Sequence, residues 1–360
     1  MFVYVGTFTG STGSRGIYIY RLDTTTGALA HLQTAANLLS PSWLALHPQG
    51  RFLYAVERQW TPERSDVGAV SAFSVDGATG ALTPLNRQPS GGVSPAYVSV
   101  HPSGRYALAA HYGSGQVAAL PIGSDGRLGA ASDVVQHAGQ GPDAGRQEGP
   151  HAHFVTTDPS GRYVLACDLG IDRIVIYQLD LESGKLVANS LPYAQVSSGA
   201  GPRHLAFHPS GGYVYVINEL DSTLSAFTFD ASRGALQIVQ TVSTLPGDFT
   251  GTSHTAQVVV HPSGRFVYGS NRGHDSIVIF AIDQATGKLT QVGHEPSGGK
   301  TPRNFNIDPT GAFLLAANQN SNTIVTFRID QGTGRLAATG QVTESPTPVC
   351  IQFSSEERPG

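Results

Sequence analysis

Cysteine, charged residues and helical periodicity are scarce in this sequence, and each scarcity excludes a class of protein. The two cysteines, Cys167 and Cys350, are too few for a disulfide framework, and because both lie in apolar runs we expect buried free thiols. Charged residues make up 13% of the chain, the net charge is −4 and basic residues form no run, which argues against a nucleic-acid partner. No segment of useful length has helical periodicity, so we predict an all-β fold class.

Long apolar runs are also missing. No stretch approaches the ~20 residues of a membrane span, so we expect no membrane partner. The N-terminal segment MFVYVGTFTG lacks the positive charge and the sustained apolar run of a signal peptide and has the pattern of a strand. We therefore expect a cytoplasmic protein. The sequence carries no indication of its oligomeric state.

Turns are abundant, and they repeat. The chain has 43 Gly and 22 Pro, and a Pro-Gly turn between two apolar runs occurs six times. The copies are HPQG (47–50), HPSG (101–104), DPSG (158–161), HPSG (208–211), HPSG (261–264) and DPTG (308–311), with spacings of 54, 57, 50, 53 and 47 residues. A period of about 50 residues built from short β-runs is typical of a propeller, in which each repeat is one small sheet.

A second turn, rich in Asp and Gly and ending in Gly-x-Leu, occurs seven times. The mismatch with six Pro-Gly turns is resolved if the two chain ends share a repeat. Phe2–Thr7 resembles the second strand of a unit and Pro348–Phe353 resembles a first strand, so their pairing would close the ring. We predict a seven-bladed β-propeller with four-stranded antiparallel blades, forming a single domain over residues 1–360.

One repeat shows the order of strands within a blade. The predicted strands are Leu205–Phe207, Tyr213–Ile217, Thr223–Phe229 and Leu236–Val242, the second being buried on both faces. Three segments are longer than the repeat requires, and we expect them at one rim: Gln59–Asp66, His137–Pro150 and Thr244–Ser253. Long loops on a rigid ring commonly bind ligands, although these segments could also be tolerated surface insertions.

The repeat provides its own control, because residues present in every copy serve the scaffold and residues that differ are candidates for function. The first strand of a blade lines the central channel, so we compared the residue five positions before each Pro-Gly turn. These residues are Ser42, Ala96, His153, Arg203, Ala256, Arg303 and, in the closing blade, Val349. The ends of the second strands lie at the same rim. The pairs there are Thr7-Phe8, Glu57-Arg58, His111-Tyr112, Asp168-Leu169, Asn218-Glu219, Asn271-Arg272 and Asn318-Gln319.

The singular residues at this rim form a candidate active site. We predict a catalytic group of His153, Arg203, Glu219 and Arg272. Guanidinium groups bind carboxylate or phosphate, and a His and a Glu can transfer protons near neutral pH. We further expect substrate contacts from the neighbouring residues His151, Arg303, His111, Arg58 and Asn271. The alternative is that Glu219 and an arginine only bridge two blades.

The remaining histidines have simpler interpretations. His47, His101, His208 and His261 repeat at one site of the turn and are replaced by Asp in two copies, so we expect turn-capping groups. His151 and His153 form a His-x-His pair, but no tight Cys/His spacing supplies further ligands, so we predict no metal site. No nicotinamide or phosphate-loop motif is present, and we expect no cofactor.

Several strings resemble the seven-bladed propeller lactonase family, which includes bacterial propeller-type 6-phosphogluconolactonases and fungal carboxy-cis,cis-muconate cyclases. They are RQEGPHAH (146–153), CDLGIDRI (167–174), GPRHLAFHPSGGYVYVINELDST (201–223) and SNRGHDSIVIF (270–280), and the resemblance covers essentially the whole chain. It implies that His153, Arg203, Glu219 and Arg272 form the active site. His111 departs from the family, whose members often have Asn at this position.

The resemblance implies a hydrolase acting on a small anionic sugar lactone, such as 6-phosphogluconolactone, with Arg203 and Arg272 stabilising negative charge and either Glu219 or His153 as the base. Three alternatives remain. A muconate cyclase-type lactonizing enzyme needs the same anion clamp and proton transfer. A non-catalytic interaction platform predicts a mouth without clustered charge. A calcium-dependent lactonase would need more acidic residues at the mouth.

Overall fold

The computed structural model describes residues 1–10, 12–59 and 66–354, and its strands form seven four-stranded antiparallel sheets. The predicted all-β propeller is thereby confirmed. In the described part of the chain the helical elements are two short 3-10 turns, Leu169–Ile171 and Gln319–Ser321. None of the described helices has the length and hydropathy needed to cross a bilayer.

Each blade runs from an inner strand at the channel to an outer strand at the circumference. The inner strands are β4 (Trp43–Leu46), β8 (Pro95–Val100), β12 (Ala152–Thr157), β16 (Pro202–Phe207), β20 (His254–Val260), β24 (Pro302–Ile307) and β28 (Pro348–Phe353). The second strands are β1 (Phe2–Thr7), β5 (Phe52–Glu57), β9 (Tyr106–His111), β13 (Tyr163–Asp168), β17 (Tyr213–Asn218), β21 (Phe266–Arg272) and β25 (Phe313–Asn318).

The outer half of each blade completes the sheet. The third strands are β2 (Gly16–Leu22), β6 (Ala69–Val75), β10 (Gln116–Pro121), β14 (Arg173–Leu179), β18 (Thr223–Asp230), β22 (Ser276–Ile282) and β26 (Thr323–Ile329). The fourth strands are β3 (Leu29–Ala36), β7 (Leu82–Pro89), β11 (Asp133–Gln136), β15 (Leu186–Gln195), β19 (Ala235–Ser243), β23 (Leu289–Pro296) and β27 (Leu336–Glu344).

The two chain ends close the ring as the repeat count predicts. Strand β28 pairs with β1 in antiparallel register, with Val3 opposite Phe353 and Val5 opposite Ile351, and this sheet becomes blade 1. Blades 2 to 7 follow in chain order. Each inner strand contacts the inner strands of both neighbouring blades, so the seven inner strands surround one channel.

The core lies between the blades. Strands β9, β13 and β25 are buried at every position, as expected for a strand covered on both faces, whereas the second half of β27 alternates half-buried and exposed residues. Cys167 and Cys350 are buried free thiols, as predicted.

The turn histidines tie neighbouring blades together. Their Nε2 atoms donate to the carbonyl of the turn glycine in the next blade, at 3.1 Å from His47 to Gly104, 2.7 Å from His101 to Gly161, 2.9 Å from His208 to Gly264 and 3.0 Å from His261 to Gly311. Their Nδ1 atoms accept from the backbone N–H two residues later. The expected capping role is confirmed, and both ring nitrogens are occupied by the scaffold.

Candidate active site at the channel mouth

A recurring β-bulge shapes the mouth of the channel. In the pairing of the inner and second strands the register skips the residue five positions before the turn, at Ala96, His153, Arg203 and Arg303, and an equivalent irregularity leaves Val349 unpaired in blade 1. A bulge re-aims a side chain that regular pleating would direct between the blades. Six of the seven compared residues, namely Ser42, Ala96, His153, Arg203, Arg303 and Val349, line one small cavity of about 20 Å³.

The two residues at the end of each second strand differ in where their side chains lie, one inside the blade and the other toward the channel mouth. The first member of each pair is buried in the blade; these members are Thr7, Glu57, His111, Asp168, Asn218, Asn271 and Asn318. The second members Arg58, Tyr112, Glu219 and Arg272 line a larger cavity of about 280 Å³ that shares four lining residues with the small one, and Phe8 lines the small one. Successive residues of a strand point to opposite faces, which explains the division.

Two residues expected to contact substrate, His111 and Asn271, are buried inside their blades. His111 Nδ1 donates to the Gln116 carbonyl at 3.1 Å, its Nε2 accepts from Ser90 Oγ at 2.9 Å, and burial lowers the pKa of this imidazole to about 4. Asn271 bonds through both amide atoms to Thr244. Neither side chain lines a described cavity. Their positions therefore give no support to the substrate contacts expected for them.

Three guanidinium groups converge on the carboxylate of Glu219. Arg203 Nε lies 2.8 Å and Arg272 Nη2 lies 2.9 Å from Oε2, while Arg146 Nη2 lies 2.6 Å from Oε1. Burial by itself would raise the pKa of Glu219, but Arg272, Arg203 and Arg146 outweigh it and hold this pKa well below its usual range. Glu219 is therefore an ionised group that orients three cations.

The backbone fixes two of these cations in place. Arg203 Nη1 donates to the Ala256 carbonyl, and Arg272 Nη2 donates to the Thr255 carbonyl at 2.7 Å, so both guanidiniums are attached to the start of β20. The arrangement leaves their positions independent of any ligand, which is the preorganisation that stabilisation of a developing anion requires.

His153 is the more buried of the two imidazoles that line the cavities, the other being His254. It is 5% exposed, and neither ring nitrogen makes a hydrogen bond to the described residues, Nδ1 being buried without a partner. Burial, followed by the positive charges of Arg203, Arg303 and Arg272, lowers its pKa well below the ordinary value. The imidazole is therefore neutral at pH 7 and has a nitrogen free to accept a proton.

An aromatic layer blocks the channel immediately beneath the cavity. It consists of Trp43, Tyr97, Phe154 and His204, which follow directly after Ser42, Ala96, His153 and Arg203 in the sequence. Ring centroids lie 4.2 Å apart for Trp43 and Tyr97 and 5.0 Å apart for Trp43 and His204, so side chains from blades 2 and 5 meet across the channel. His204 also donates from Nδ1 to Gln257 at 2.6 Å and lies 3.3 Å from Arg203 Nη1. The site consequently opens to one side of the ring.

Arg146 is a site residue that the comparison of blades misses, because it lies on the loop of residues 137–150 and has no counterpart in the repeat. The buried Gln147 anchors this loop by donating to the Leu169 carbonyl at 2.8 Å and to Asp172 Oδ1 at 2.7 Å. The sequence signal for Arg146 was its place in RQEGPHAH (146–153), one of the strings that carry the family resemblance. His151, in contrast, lies at the rim, where it stacks on Tyr112 at 4.6 Å and donates to the Tyr112 carbonyl.

The other expectations for the rim have mixed outcomes. Arg58 and Arg303 line both cavities. Of the long loops, Gln59–Asp66 lies largely outside the described residues, and the two described loops, His137–Pro150 and Thr244–Ser253, contain no strand residues. Among the residues that the structure describes, no three His, Cys, Asp or Glu side chains are grouped as a metal site would require.

Comparison with known proteins places this architecture in a family. A family model described as "Lactonase, 7-bladed beta-propeller" matches residues 2–353. The chain belongs to the seven-bladed β-propeller lactonase family. The resemblance recognised in its motifs is thereby confirmed.

Relatives of the chain share most of its length. The 6-phosphogluconolactonase of Bacillus subtilis (strain 168) is 39% identical over 305 residues, which are 85% of this chain and 84% of the relative. A 6-phosphogluconolactonase of Formosa agariphila is 34% identical, covering 85% and 86%. The solved structure of the periplasmic gluconolactonase of Pseudomonas aeruginosa superposes with a TM-score of 0.91 at 32% identity, covering 98% of this chain and 99% of that one.

Proposed function

We propose that this protein is a lactone hydrolase that acts on an anionic sugar lactone, with 6-phosphogluconolactone as the substrate, at the mouth of the central channel. The observation that carries the proposal is the charge of the described cavity walls, which hold five guanidinium groups and one carboxylate around a neutral imidazole. The names of the relatives support the reaction class. A cavity of about 280 Å³ is close to the lower limit for small-molecule sites and suits a single sugar ring.

In the proposed mechanism the ester carbonyl points at Arg203 and Arg272. His153 accepts a proton from water as the water oxygen bonds to the carbonyl carbon, and the two guanidiniums stabilise the negative charge that develops on the carbonyl oxygen. The tetrahedral intermediate then re-forms the C=O bond and breaks the ring C–O bond. The imidazolium returns its proton to the departing ring oxygen, giving an open-chain hydroxy acid that releases a proton to solvent.

The contacts of Glu219 favour His153 as the base. A carboxylate bound to three guanidiniums has a strongly lowered pKa and is a poor proton acceptor, whereas His153 is neutral and unbonded. Glu219 is accordingly a positioning residue that orients Arg203 and Arg272. Of the two candidate bases, we therefore propose the imidazole.

The test is a side-by-side assay of purified protein. We expect acid release from 6-phosphogluconolactone well above the spontaneous rate, no change in carboxymuconate absorbance, and full activity after EDTA treatment. The His153→Gln variant should lose roughly 10²-fold or more in kcat, the usual contribution of a general base. Wild-type protein that consumes carboxymuconate, or that leaves the lactone to spontaneous hydrolysis, would contradict the proposal.

A further inference from the structure

Two of the five arginines at the mouth have no carboxylate partner among the described residues. Arg58 donates a hydrogen bond to Ser94 Oγ, and its Cζ lies 5.6 Å from the centre of the Phe8 ring. Arg303 lies over the same ring, with Cζ 5.3 Å from its centre. Both guanidiniums line both cavities. We call them the unpaired arginines.

The acids nearest in sequence and in space are already committed. Glu57, which precedes Arg58, accepts from the Leu39 N–H at 2.7 Å and from Ser71 Oγ at 2.5 Å, and lies 3.1 Å from Arg87 Nε. Glu219 is bound to Arg146, Arg203 and Arg272. The unpaired arginines therefore carry positive charge that the described part of the chain does not neutralise.

Their electrostatic situation is unfavourable in the free protein. Burial lowers the pKa of Arg58, and burial together with the charges of Arg272 and Arg58 lowers the pKa of Arg303 to about 10. Bringing cations together in a partly desolvated cavity costs free energy that an anionic ligand can recover. The mouth is thus complementary to more negative charge than Glu219 supplies.

The order of blades places the unpaired arginines across the mouth from His153 and Arg203. Arg58 comes from blade 2 and Arg303 from blade 7, the two neighbours of blade 1, which contributes Phe8. His153 and Arg203 come from blades 4 and 5, which are opposite blade 1 in a ring of seven. Ser42 and Ala96 are small at the mouth positions of blades 2 and 3 and leave the space between the two groups open.

We propose that the unpaired arginines Arg58 and Arg303 bind the terminal phosphate of a sugar-phosphate lactone, while the ester at its other end lies against His153 and Arg203. Two planar guanidiniums can donate several N–H bonds to the oxygens of a phosphate dianion. The inference rests on the proposed function and adds to it the residues that distinguish a phosphorylated lactone from a neutral one.

The decisive measurement compares two substrates that differ only in the phosphate. Arg58→Met, Arg303→Met and the double variant are assayed with 6-phosphogluconolactone and with unphosphorylated gluconolactone, both corrected for spontaneous hydrolysis. Each single variant should lose about tenfold or more in kcat/KM on the phosphorylated lactone, from the usual strength of a hydrogen bond to a charged group. The neutral lactone should lose no more than about threefold in kcat/KM, and Arg303→Met can raise its turnover because the charge of Arg303 no longer acts on His153. Arg105→Met, which removes a half-exposed arginine paired with Glu182 at 3.3 Å, is the matched control.

Calorimetry with inorganic phosphate provides a readout independent of turnover. Wild-type protein and Arg105→Met should bind phosphate, and the double variant should bind it at least about a hundredfold more weakly if the two contacts add. Because the guanidiniums of Arg58 and Arg303 have no carboxylate partner among the described residues, the variants should keep a Tm within a few degrees of the wild-type value. A Tm in that range would show that weaker phosphate binding is not caused by misfolding.

The outcomes separate this inference from the proposed function. Equal losses on both lactones, or unchanged phosphate binding by the double variant, would overturn the phosphate subsite while leaving the hydrolase proposal intact. Wild-type protein that hydrolyses neither lactone would overturn the hydrolase proposal, and phosphate calorimetry would then decide the subsite by itself.

Discussion

Replacing Glu219 by Gln tests the central feature of the site, one buried carboxylate that compensates three guanidiniums. The carboxylate is 5% exposed and has nitrogen atoms of Arg203, Arg272 and Arg146 at 2.6–2.9 Å. Glutamine preserves the shape of the side chain but removes the charge. Breaking a buried ion pair by removing one partner costs about 3–5 kcal/mol, because the remaining charge stays buried without compensation. For a chain of 360 residues this corresponds to a fall in Tm of about 4–7 °C.

Turnover should fall together with stability. Arg203 and Arg272 take their positions partly from Glu219, and loss of one oxyanion donor typically lowers kcat about 10²–10³-fold. We therefore expect kcat/KM of Glu219→Gln to decrease at least about 10²-fold on phosphorylated and neutral lactones alike. Inorganic phosphate should raise Tm more in this variant than in wild-type protein, since an anion can replace part of the missing charge.

The control and the pH dependence make this prediction specific. Glu182→Gln removes a carboxylate whose side chain is 87% exposed and whose contact with Arg105 is 3.3 Å, so its stability should not change measurably. The pKa of Glu219 is lowered by folding, so its stabilising contribution is complete above the unfolded-state value of about 4.3 and is lost as the pH falls below it. The Tm difference between wild type and Glu219→Gln should shrink below about pH 4.5. A variant with wild-type Tm and turnover would refute this account of the cluster.

Three further predictions concern individual residues of the mouth. In wild-type protein the acid limb of kcat/KM, which reports the free enzyme, should lie below pH 6.5 because burial and the nearby charges lower the pKa of His153. The acid limb of kcat should lie at higher pH, because a bound dianion offsets part of those charges. Measured pH–rate profiles with identical acid limbs would contradict the assignment. Arg146→Met should raise KM and lower Tm less than Glu219→Gln does, since this arginine is one-third exposed; a KM equal to that of wild type would exclude a substrate contact. His111→Gln should lower Tm but keep the ratio of kcat/KM values for the two lactones, because both ring nitrogens bond within the blade; an altered ratio would return His111 to the site.

The fold was predictable because its signals are local and repeated. Gly-x-Leu turns mark all seven blades and Pro-Gly turns mark six of them, and the apolar runs between these turns have the length of single strands. The closing pair is the clearest case: the predicted bounds Phe2–Thr7 and Pro348–Phe353 are the bounds of β1 and β28. Bulges were not predictable, since they depend on backbone pairing, and they explain why β16 begins at Pro202 rather than at the apolar residue Leu205.

The candidate site was partly readable by the same comparison of blades. Positions five before the turn line the cavity because the bulge recurs, so His153, Arg203 and Arg303 were found. His111 and Asn271 are the first members of their second-strand pairs, and neither lines a described cavity, so their substrate contacts stay a prediction without structural support. The first members of those pairs are polar in all seven blades, which by the logic of the repeat marks them as scaffold; the second members vary and include Arg58, Glu219 and Arg272. Arg146 could not be found this way, because no other blade has its loop.

Excess positive charge at the mouth links binding to catalysis in the proposed enzyme. In the free protein burial and the nearby guanidiniums lower the pKa of His153, which keeps the base unprotonated but makes it weak. A bound dianion at Arg58 and Arg303 would offset that field and raise the pKa toward the range in which an imidazole accepts a proton effectively at pH 7. A neutral lactone would leave the field in place, so it should react more slowly even when its ester is equally well positioned. Discrimination between the two substrates would then arise in kcat as well as in KM, from the same uncompensated charge.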